Sequence, residues 1–375
     1  MKKVRVLVTA AAGGSVGEQV MEALRLSKTP YYLVTTNIEP HKNGLYEADK
    51  GYLIPPASSG QYLVKLIAIC LKEKIQVLIP GSAPELDVIS KSRQKFINHG
   101  ILPLVNSQKV IELCQDKLRT MEFLKDKGLL FPKFAILSTS KLPKFLKFPI
   151  VIKPTKGGGG SRNVFLVQDQ EDLNYYYRYF AKQNLTPLAQ EYIGDSTQEY
   201  TVGILTDFEG KLIGSIALKR EVKGDLSVRT ELKNSKSGKT LVLSSGFSQG
   251  FVDDYPEVRK YSEKIALALG SRGPLNIQCR KTAKGIYTMG INPRFSGTAA
   301  TRALLGFNEP DILIRKYLLK QKVGKIKYKK GLVLRDLRMV YISPNQIKQI
   351  NRQKFIKNIN KPLRNTKQYK NTKNS

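Results

Sequence analysis

The first hundred residues alternate short apolar runs with longer amphipathic segments, and this alternation most restricts the folds open to the chain. Apolar runs occur from Val4 to Ala10, in "YYLVTTNI" and in "IQVLIPG", and "GQYLVKLIAICLKEK" and "PELDVISKSRQKFINHG" have helical spacing. Strands that alternate with helices in units of about thirty residues form a parallel sheet with helices on both faces. Residues 1–105 are therefore predicted to form a Rossmann-like α/β domain.

The composition excludes several classes of protein. With 375 residues, 41% of them hydrophobic, the chain is long enough for two or three domains with their own cores. No run of about 18 apolar residues occurs, so no membrane span is expected, and the start "MKKVRVLVTAAAGG" is typical of a first strand rather than of a signal peptide. Three widely spaced cysteines and two histidines, His41 and His99, provide no disulfide framework, zinc site or histidine triad. We expect a reduced, cytoplasmic protein.

The formal net charge of +33 allows two interpretations. It favours a polyanionic partner, such as nucleic acid or an anionic membrane, or it reflects a lysine-rich composition with no binding role. The basic residues are spread along the chain, without an arginine-rich helix or interleaved aromatic and basic residues. We therefore expect salt-sensitive association with polyanions and no dedicated nucleic-acid site.

A glycine-rich turn, Gly13 to Gly17, follows the first predicted strand. Its spacing is only part of a dinucleotide fingerprint, and no acidic residue ends the second strand unless Glu39 serves. A structural turn or a contact to a substrate phosphate is expected in preference to a bound nicotinamide.

From about residue 106 the pattern changes to that of an α+β domain. A helix pair is predicted in "SQKVIELCQDKLRTMEFLKDKG", and a mainly antiparallel sheet is predicted from "PLAQEYIG", "QEYTVGILTD", "KLIGSIALKRE", "PLNIQCR" and "GIYTMGINPRF". Residues 344–375 contain seven lysines, two arginines and no acidic residue. They are predicted to form a basic tail that is disordered or loosely helical.

Four consecutive glycines, Gly157 to Gly160, lie between two predicted strands, "FPIVIKP" and "NVFLVQ". Glycine lets backbone N–H groups approach phosphate oxygens, and Lys153 and Lys156 add positive charge beside the run. A flexible surface hairpin has the same composition, so the run alone leaves both interpretations open.

Polar residues recur in the predicted strands that follow. Gln190 and Glu191 precede two apolar residues whose backbone is suited to the edge of an adenine, and Glu199 is placed to accept from ribose hydroxyls. The stretches "NIQ" and "INPRF" bring oxygen-bearing side chains that suit a hard cation, together with Arg294 for a phosphate.

In this order, the stretches "FPIVIKP", "GGGGSRNV", "QEYIG", "NIQ" and "INPRFSGTAATRALLG" resemble the ATP-grasp superfamily, and specifically the carbamoyl-phosphate synthetase large-subunit group. The resemblance covers residues 1 to about 320, and the motifs are specific only in combination. It implies a Rossmann-like domain at residues 1–105 followed by two ATP-grasp lobes. The small lobe, with a glycine-rich lid, would occupy residues 106–189, and the large lobe residues 190–343.

The resemblance also implies a role for each matching residue. The triphosphate contacts that it implies come from Lys117, Lys153, Gly157, Gly158, Gly159, Gly160 and Ser161. Those to the adenine and ribose come from Gln190, Glu191, Tyr192, Ile193 and Glu199. It implies that Mg²⁺, or Mn²⁺ in its place, is bound by Gln278 and Asn292. The residues that it implies for the acyl-phosphate intermediate and for the acceptor side are Arg294, Lys219 and Arg220.

One position departs from the family motif. The glutamate that bridges two metal ions in the family is Gly290 here, and its partner position is an amide, Gln278. Hard divalent cations normally take one or two carboxylates together with substrate phosphates. The loss of one such contact is expected to cost about 2.7–4 kcal/mol of transition-state stabilisation, which is roughly several hundred-fold in rate.

Three functions are compatible with these observations. The first, which we favour, is an ATP-dependent ligase that activates a small carboxylate and transfers it to an amine or a similar nucleophile, with a homodimer as one possible assembly. The second is an ATP-binding sensor or scaffold that has lost its chemistry at Gly290. The third is a polyanion-binding protein that acts through its basic tail. A full carbamoyl-phosphate synthetase is not expected, because the sequence resembles one ATP-grasp unit, whereas that enzyme resembles two such units in tandem.

Overall fold

The chain divides into two units, each with its own core. The first unit comprises residues 1–103 and 336–375, and the second comprises residues 104–335. The computed structural model describes residues 3–155, 163–222, 226–234, 238, 240–337 and 339–358.

The described strands and helices are numbered in chain order. The strands are β1 (Val4–Thr9), β2 (Tyr31–Asn37), β3 (Lys50–Leu53), β4 (Val77–Ile79), β5 (Leu102–Pro103), β6 (Phe134–Ile136), β7 (Ile150–Pro154), β8 (Phe165–Val167), β9 (Pro187–Glu191), β10 (Glu199–Thr206), β11 (Leu212–Arg220), β12 (Val228–Lys233), β13 (Thr240–Ser244), β14 (Gly250–Asp253), β15 (Pro274–Thr282), β16 (Gly285–Asn292), β17 (Gly331–Val333) and β18 (Phe355–Lys357). The helices are α1 (Val16–Arg25), α2 (Gly44–Glu47), α3 (Tyr62–Lys72), α4 (Ala83–Lys91), α5 (Arg93–Asn98), α6 (Gln108–Gln115), α7 (Lys117–Asp126), α8 (Gln170–Lys182), α9 (Pro256–Ala268), α10 (Ala299–Leu304), α11 (Glu309–Tyr317) and α12 (Pro344–Gln353). In the part of the chain that the structure describes, no helix has the length and apolar character needed to cross a membrane.

The first unit contains a sheet in the order β18-β3-β2-β1-β4-β5. Strands β1 to β5 are parallel, with Val6 beside Val77, and β18 is antiparallel to β3. The apolar runs form strands because helices cover both faces of the sheet, and Val6, Leu7 and Val8 are fully buried. The predicted Rossmann-like domain is confirmed.

The glycine turn after β1 is held by groups of the chain itself. The Ser15 side chain caps α1, and the N–H of Gly14 donates to Glu18 Oε2 at 2.6 Å. A Cβ on Gly17 would lie 2.5 Å from the carbonyl oxygen of Thr9, so α1 packs this closely on β1 only with glycine there. Of the alternatives for this turn, these contacts support the structural one, because a carboxylate of the chain already occupies the turn.

Residues 344–358 are ordered, so the predicted tail is wrong for this segment. They form α12 and β18, which complete the first unit, and Ile350 and Ile356 are 0% and 1% exposed. Asn358 Nδ2 donates to two carbonyl oxygens at the end of α2, at 3.0 and 2.8 Å. The reason for the error is that apolar side chains at helical and strand spacing lie within a lysine-rich composition. Residues 359–375 lie outside the described residues.

The second unit contains a small antiparallel sheet in the order β6-β9-β7-β8. Helix α8 covers one face of it, where Leu173 and Phe180 pack with Ile150 and Ile152. On the opposite face, apolar residues of β7 and β8 pack against the β12–β13 hairpin. The sheet with its helix corresponds to the predicted small lobe.

A larger antiparallel sheet, in the order β16-β15-β10-β11-β14-β17, forms the rest of the second unit. Helix α9 covers one face, where Val258 and Ile265 pack with Val202 and Ile277. Because side chains alternate along a strand, the intervening residues project to the other face. We call this other face the polar face, and its members are Glu199, Thr201, Arg220, Asn276, Gln278, Arg280, Gly290 and Asn292. The predicted α+β arrangement is confirmed.

We expect Ile350→Ala to destabilise the first unit, because it leaves a cavity where Ile350 packs with Leu45, Tyr46 and Ile356. The expected loss in the free energy of opening is about 2–5 kcal/mol. Amide hydrogen exchange of strand β3, followed by mass spectrometry, measures this free energy. The matched control is Lys348→Ala, exposed on the same helix, which should change it by about 0.5 kcal/mol or less. Equal protection of β3 in both variants would show that α12 is not part of this core.

Candidate functional site

The pairing of β7 with β9 places Lys153 and Gln190 on one face of the small sheet. Lys153 lies beside Leu188, and Val151 lies beside Gln190. Val151 and Lys153, two residues apart on β7, share a face, whereas Ile152 between them projects into the core under α8. Lys153 and Gln190 therefore lie on the face that the β12–β13 hairpin packs against.

Lys153 carries a buried amine that has no counter-ion among the described residues. It is 9% exposed, and its amine forms no hydrogen bond or ion pair with them. Burial, and then the charge of Lys117, lower the pKa of Lys153 to about 7. Burial also lowers the pKa of Lys117, although the negative charge of Asp116 opposes this. The backbone N–H of Lys117 donates to the carbonyl oxygen of Thr155 at 3.4 Å. An anion at this point would favour the charged form of both lysines.

The predicted glycine-rich lid lies outside the described residues. Its members are Gly157, Gly158, Gly159, Gly160 and Ser161. Their contact with a triphosphate stays a prediction.

Gln190 has a buried side-chain oxygen without a partner. The residue is 2% exposed, and its Oε1 accepts no hydrogen bond in the described part of the chain. A buried acceptor that is left unpaired costs about 1–3 kcal/mol. This position therefore suits a ligand with a hydrogen-bond donor, such as the amino group of a purine.

The next two side chains of the predicted hinge are bonded within the chain. Glu191 Oε2 accepts from the N–H of Lys133 at 3.2 Å. The Tyr192 hydroxyl donates to the carbonyl oxygen of Val242 at 3.1 Å and accepts from the Val242 N–H at 2.9 Å. These side chains fix the course of the hinge, and the adenine contacts expected from Glu191, Tyr192 and Ile193 stay predictions.

Glu199, the predicted ribose ligand, lies in a buried network. Arg220 Nη1 donates to Glu199 Oε1 at 2.5 Å, Arg280 Nη2 donates to Oε2 at 3.1 Å, and the Ser244 hydroxyl donates to Oε1 at 2.6 Å. Burial opposes ionisation of Glu199, but the two arginines outweigh burial and hold the pKa of Glu199 below its usual range. A ribose hydroxyl would have to share these oxygens, so the ribose contact also stays a prediction.

Arg280 connects this network to the hinge. Its Nη1 donates to the carbonyl oxygen of Ile193 at 2.7 Å, and its Nη2 donates to that of Val242 at 3.2 Å. The guanidinium also lies 4.9 Å from the centre of the Tyr192 ring, at the distance of a cation–π contact. The hinge, β15 and the β12–β13 hairpin are thereby held in one arrangement.

The predicted cation ligands come together on the polar face. In the pairing of β15 with β16, Gln278 lies beside Gly290 and Asn276 lies beside Asn292. Arg294 follows the end of β16, and its Nη2 lies 3.4 Å from Asn292 Oδ1. No described acidic residue forms an ion pair with Arg294, and burial lowers the pKa of its guanidinium to about 10.

These residues do not fit a bridged pair of Mg²⁺ ions. Gln278 and Asn292 offer amide oxygens, and Gly290 offers no side chain. Within the described ranges, no group of three or more His, Cys, Asp or Glu residues could hold a metal ion. Mg²⁺ normally keeps one or two protein carboxylates in addition to phosphate oxygens. The amides suit one cation carried by a nucleotide, and the carboxylate needed to bridge a second ion is absent from this position.

Lys219 and Arg220 do not line an acceptor site together, which corrects the prediction for both. Adjacent residues of a strand point to opposite faces, and Lys219 lies beside Tyr200, on the face that α9 covers. Arg220 lies on the polar face, but it is buried, and its Nη2 donates to two loop carbonyl oxygens at 2.9 and 3.1 Å. Lys219 is thus on the opposite face of the sheet from Gln278, and Arg220 supports Glu199.

Sequence reasoning missed two groups of the polar face. Arg280 follows Gln278 at strand spacing in "NIQCR", and this spacing of two is the signal that identifies it. The second group is the buried ion pair of Arg302 and Glu309, in which Arg302 Nη2 also donates to Asn276 Oδ1 at 2.6 Å. No local pattern pairs these two residues, because they come from separate helices, α10 and α11.

Two family models match the chain. One, described as "PylC-like, N-terminal domain", matches residues 12–104, and the other, described as "ATP-grasp in the biosynthetic pathway with Ter operon", matches residues 186–340. The carbamoyl phosphate synthase large chain of Clostridium beijerinckii is 29% identical over 204 residues. Residues 186–340 thus match the ATP-grasp superfamily. The predicted similarity to the carbamoyl-phosphate synthase large-chain group is confirmed.

The ATP-grasp relatives differ in how much of them the chain covers. The match to the Clostridium beijerinckii large chain covers 53% of this chain and only 18% of that protein. The carbamoyl-phosphate synthase of Methanobrevibacter smithii is 23% identical over 272 residues, which are 69% of this chain and 70% of that protein.

Solved ATP-grasp structures share the fold. The biotin carboxylase domain of Hydrogenobacter thermophilus 2-oxoglutarate carboxylase, determined with MgADP, ADP and bicarbonate, has a TM-score of 0.59 and 19% identity, with coverage of 84% of this chain and 70% of that one. The L-amino acid ligase of Bacillus licheniformis has a TM-score of 0.59 and 17% identity, with coverage of 85% and 75%. At this identity, the likeness supports the fold of the ATP-grasp chain and not its substrate.

We expect Lys153→Met to stabilise the second unit in the absence of ligand. The pKa of Lys153 falls from 10.5 to about 7 on folding, so folding with a charged lysine is unfavourable. This cost is complete below about pH 7 and shrinks as the pH rises towards the unfolded value. The gain in Tm should therefore be larger at about pH 6 than at about pH 9, as measured by thermal unfolding.

The control for this substitution is Lys147→Met, an exposed lysine of the same lobe. It should show no pH-dependent gain in Tm. If Lys153→Met and Lys147→Met gave the same gain in Tm, and that gain did not change with pH, the burial of an uncompensated charge at Lys153 would be contradicted.

Proposed function

We propose that this ATP-grasp chain is an ATP-dependent ligase. It activates a small carboxylate as an acyl phosphate and transfers the acyl group to an amine or a similar nucleophile. The family matches support ligase chemistry at a coarse level. The observation that carries the proposal is Lys153, a buried amine without a described counter-ion, on the same face as the unpaired acceptor of Gln190.

The nucleotide is held by charge and by a shaped hinge. Lys153 and Lys117 neutralise the phosphates of ATP. Gln190 accepts from the adenine amino group, and Glu199 receives a ribose hydroxyl within its arginine network. The work of the protein on this side is positioning and electrostatic stabilisation, as in other phosphoryl transfers.

The reaction proceeds in two displacements. A carboxylate oxygen of the substrate attacks the γ-phosphorus of ATP, and the bond from that phosphorus to the leaving oxygen of ADP breaks. The nucleophile's nitrogen then attacks the acyl carbon, inorganic phosphate leaves, and the nitrogen loses a proton to solvent. Arg294, whose charge is not neutralised by a described acid, stabilises the acyl phosphate through charge-assisted hydrogen bonds.

A second candidate function is an ATP-binding sensor or scaffold without ligase chemistry. The observation that favours it is Gly290, which lies beside Gln278 and leaves the cation position without a carboxylate. Nucleotide binding through Lys153 and Gln190 does not depend on that carboxylate. The two functions therefore share the nucleotide site and differ in turnover.

The deciding experiment measures ADP release with ATP, Mg²⁺ and a panel of mono- and dicarboxylates paired with amines. The ligase predicts ADP release that depends on a carboxylate and an amine. Lys153→Met should reduce the rate by about a hundredfold or more, because it removes a charge that stabilises the transferring phosphoryl group. The exposed Lys147→Met is the matched control and should keep the native rate.

The sensor predicts a different pattern in the same assay. The native chain would bind ATP and release no ADP with any member of the panel, and Gly290→Glu would gain turnover. ADP release that ignores both carboxylate and amine would contradict the ligase.

A further inference from the structure

A cavity lies beside the turn that joins β10 to β11, in the second unit. Its volume is about 520 Å³, within the range of about 300–1,000 Å³ that is usual for small-molecule sites. The turn follows Thr206 at the end of β10, whereas Glu199 begins this strand, so the two ends are roughly 25 Å apart. The cavity is therefore separate from the network that supports the proposed nucleotide site.

Lysine predominates among the charged side chains that line this cavity. Its lysines come from the turn, from the end of α11 and from the segment that follows, and they are Lys211, Lys316, Lys320, Lys322 and Lys325. Among the described residues that line the cavity, Asp207 is the one acid. Lys316 Nζ donates to Asp207 Oδ2 at 2.6 Å, so the charge of this carboxylate is already paired.

The four other lysines of the cavity have no acidic partner in the described part of the chain. Their amines form neither a hydrogen bond nor an ion pair there. Exposed lysines elsewhere in the same unit do pair with acids, since Lys281 contacts Glu257 and Lys330 contacts Asp253, each at 2.6 Å. The sequence from 312 to 335 contains no acidic residue, so the segment after α11 supplies none. A cleft lined by charge of one sign concentrates counter-ions, and this cavity therefore attracts anions.

The segment that carries three of these lysines is attached to the rest of the unit at both ends. The N–H of Gln321 donates to the carbonyl oxygen of Arg315 at 2.9 Å, and the N–H of Lys329 donates to that of Leu305 at 2.8 Å. The backbone thus holds the lysines around one space. An anion in this space would relieve the repulsion among their charges.

We propose that this cavity binds a small molecule that carries two or more phosphate groups. A lysine ammonium binds phosphate as a point charge, and a phosphate monoester brings about 1.5 to 2 negative charges near neutral pH. Two phosphate groups therefore match the four lysines without an acidic partner, whereas one carboxylate would leave three of them uncompensated. The inference does not depend on the proposed function, because the cavity uses no residue of the nucleotide site.

A small ligand fits these observations better than a nucleic acid does. Proteins that bind single-stranded nucleic acids combine a basic groove that follows the backbone with aromatic side chains on which the bases stack. Here the lysines surround a space of small-molecule size, and no aromatic side chain occurs among the described residues that line it.

The experiment titrates the full chain with inorganic pyrophosphate by calorimetry, without Mg²⁺ and at about 0.15 M salt, where charges more than about 8 Å apart are largely screened. Orthophosphate, citrate and a single-stranded oligonucleotide are the comparison probes. The triple variant Lys320→Gly/Lys322→Gln/Lys325→Gln should weaken pyrophosphate binding by about tenfold or more, because it removes charge-assisted contacts. Lys320 has a φ of 54°, in the region that favours glycine, so this variant should keep the native Tm.

Two further variants serve as controls. The triple variant Lys144→Gln/Lys147→Gln/Lys182→Gln removes the same charge from exposed lysines of the small lobe, and it should keep the native affinity for pyrophosphate within about twofold. Lys153→Met lacks the amine of the proposed nucleotide site, and it should retain the pyrophosphate binding that the cavity variant loses.

Each other outcome overturns the phosphate site in the cavity. Equal weakening by the two triple variants would mean that net charge alone attracts pyrophosphate, and loss of binding in Lys153→Met alone would assign the pyrophosphate to the nucleotide site. Orthophosphate or citrate that binds as tightly as pyrophosphate would contradict the match to two phosphate groups. Binding of the oligonucleotide without binding of pyrophosphate would show that the lysines serve a nucleic acid, and a native chain that binds none of the probes has no anion site here.

Discussion

One buried carboxylate, that of Glu199, bonds to residues from the strands and the hairpin that form the site. Its partners come from β11, β13 and β15, and Arg280 passes the connection on to the carbonyl oxygen of Ile193 in the hinge. Two arginines share this acid, so removal of the carboxylate would leave buried positive charge uncompensated, which typically costs about 3–5 kcal/mol. The network fixes where the polar face ends and the hinge begins. The positions of Gln190 and Gln278 relative to each other depend on it.

The buried basic residues around Glu199 differ in whether a described acidic residue pairs with them. Arg220 and Arg280 form ion pairs with Glu199, and Arg302 forms an ion pair with Glu309. Lys153 and Arg294 have no described acid, and burial lowers the pKa of each. A protein that buries cations in this way gives up stability, which a bound anion restores. Gly290 likewise leaves the cation position beside Gln278 without a carboxylate of its own.

The sequence was sufficient for the architecture, because the architecture depends on short-range patterns. Alternating apolar runs predicted the parallel sheet of the first unit, and the ordered motifs predicted the lobes and the convergence of Gln278 with Asn292. The errors come from features that no local pattern specifies. Which face Lys219 occupies follows from the register of β10 with β11, and the partners of Arg220 come from loops about 25 residues further along the chain. The fold of residues 344–358 depends on the edge of a distant strand, β3, which a lysine-rich composition conceals. The β12–β13 hairpin was not predicted either, although it supplies Val242 to the hinge.

The most direct test of this account is a calorimetric titration of the protein with ATP at about pH 8, in two buffers that differ in ionisation enthalpy. The free amine of Lys153 is largely neutral at this pH, and phosphate binding restores its charge. The account predicts that ATP binds with the uptake of about one proton, and that Lys153→Met loses both the affinity and the proton uptake. Absence of ATP binding, or equal affinity in Lys153→Met without any proton uptake in the native chain, would contradict it.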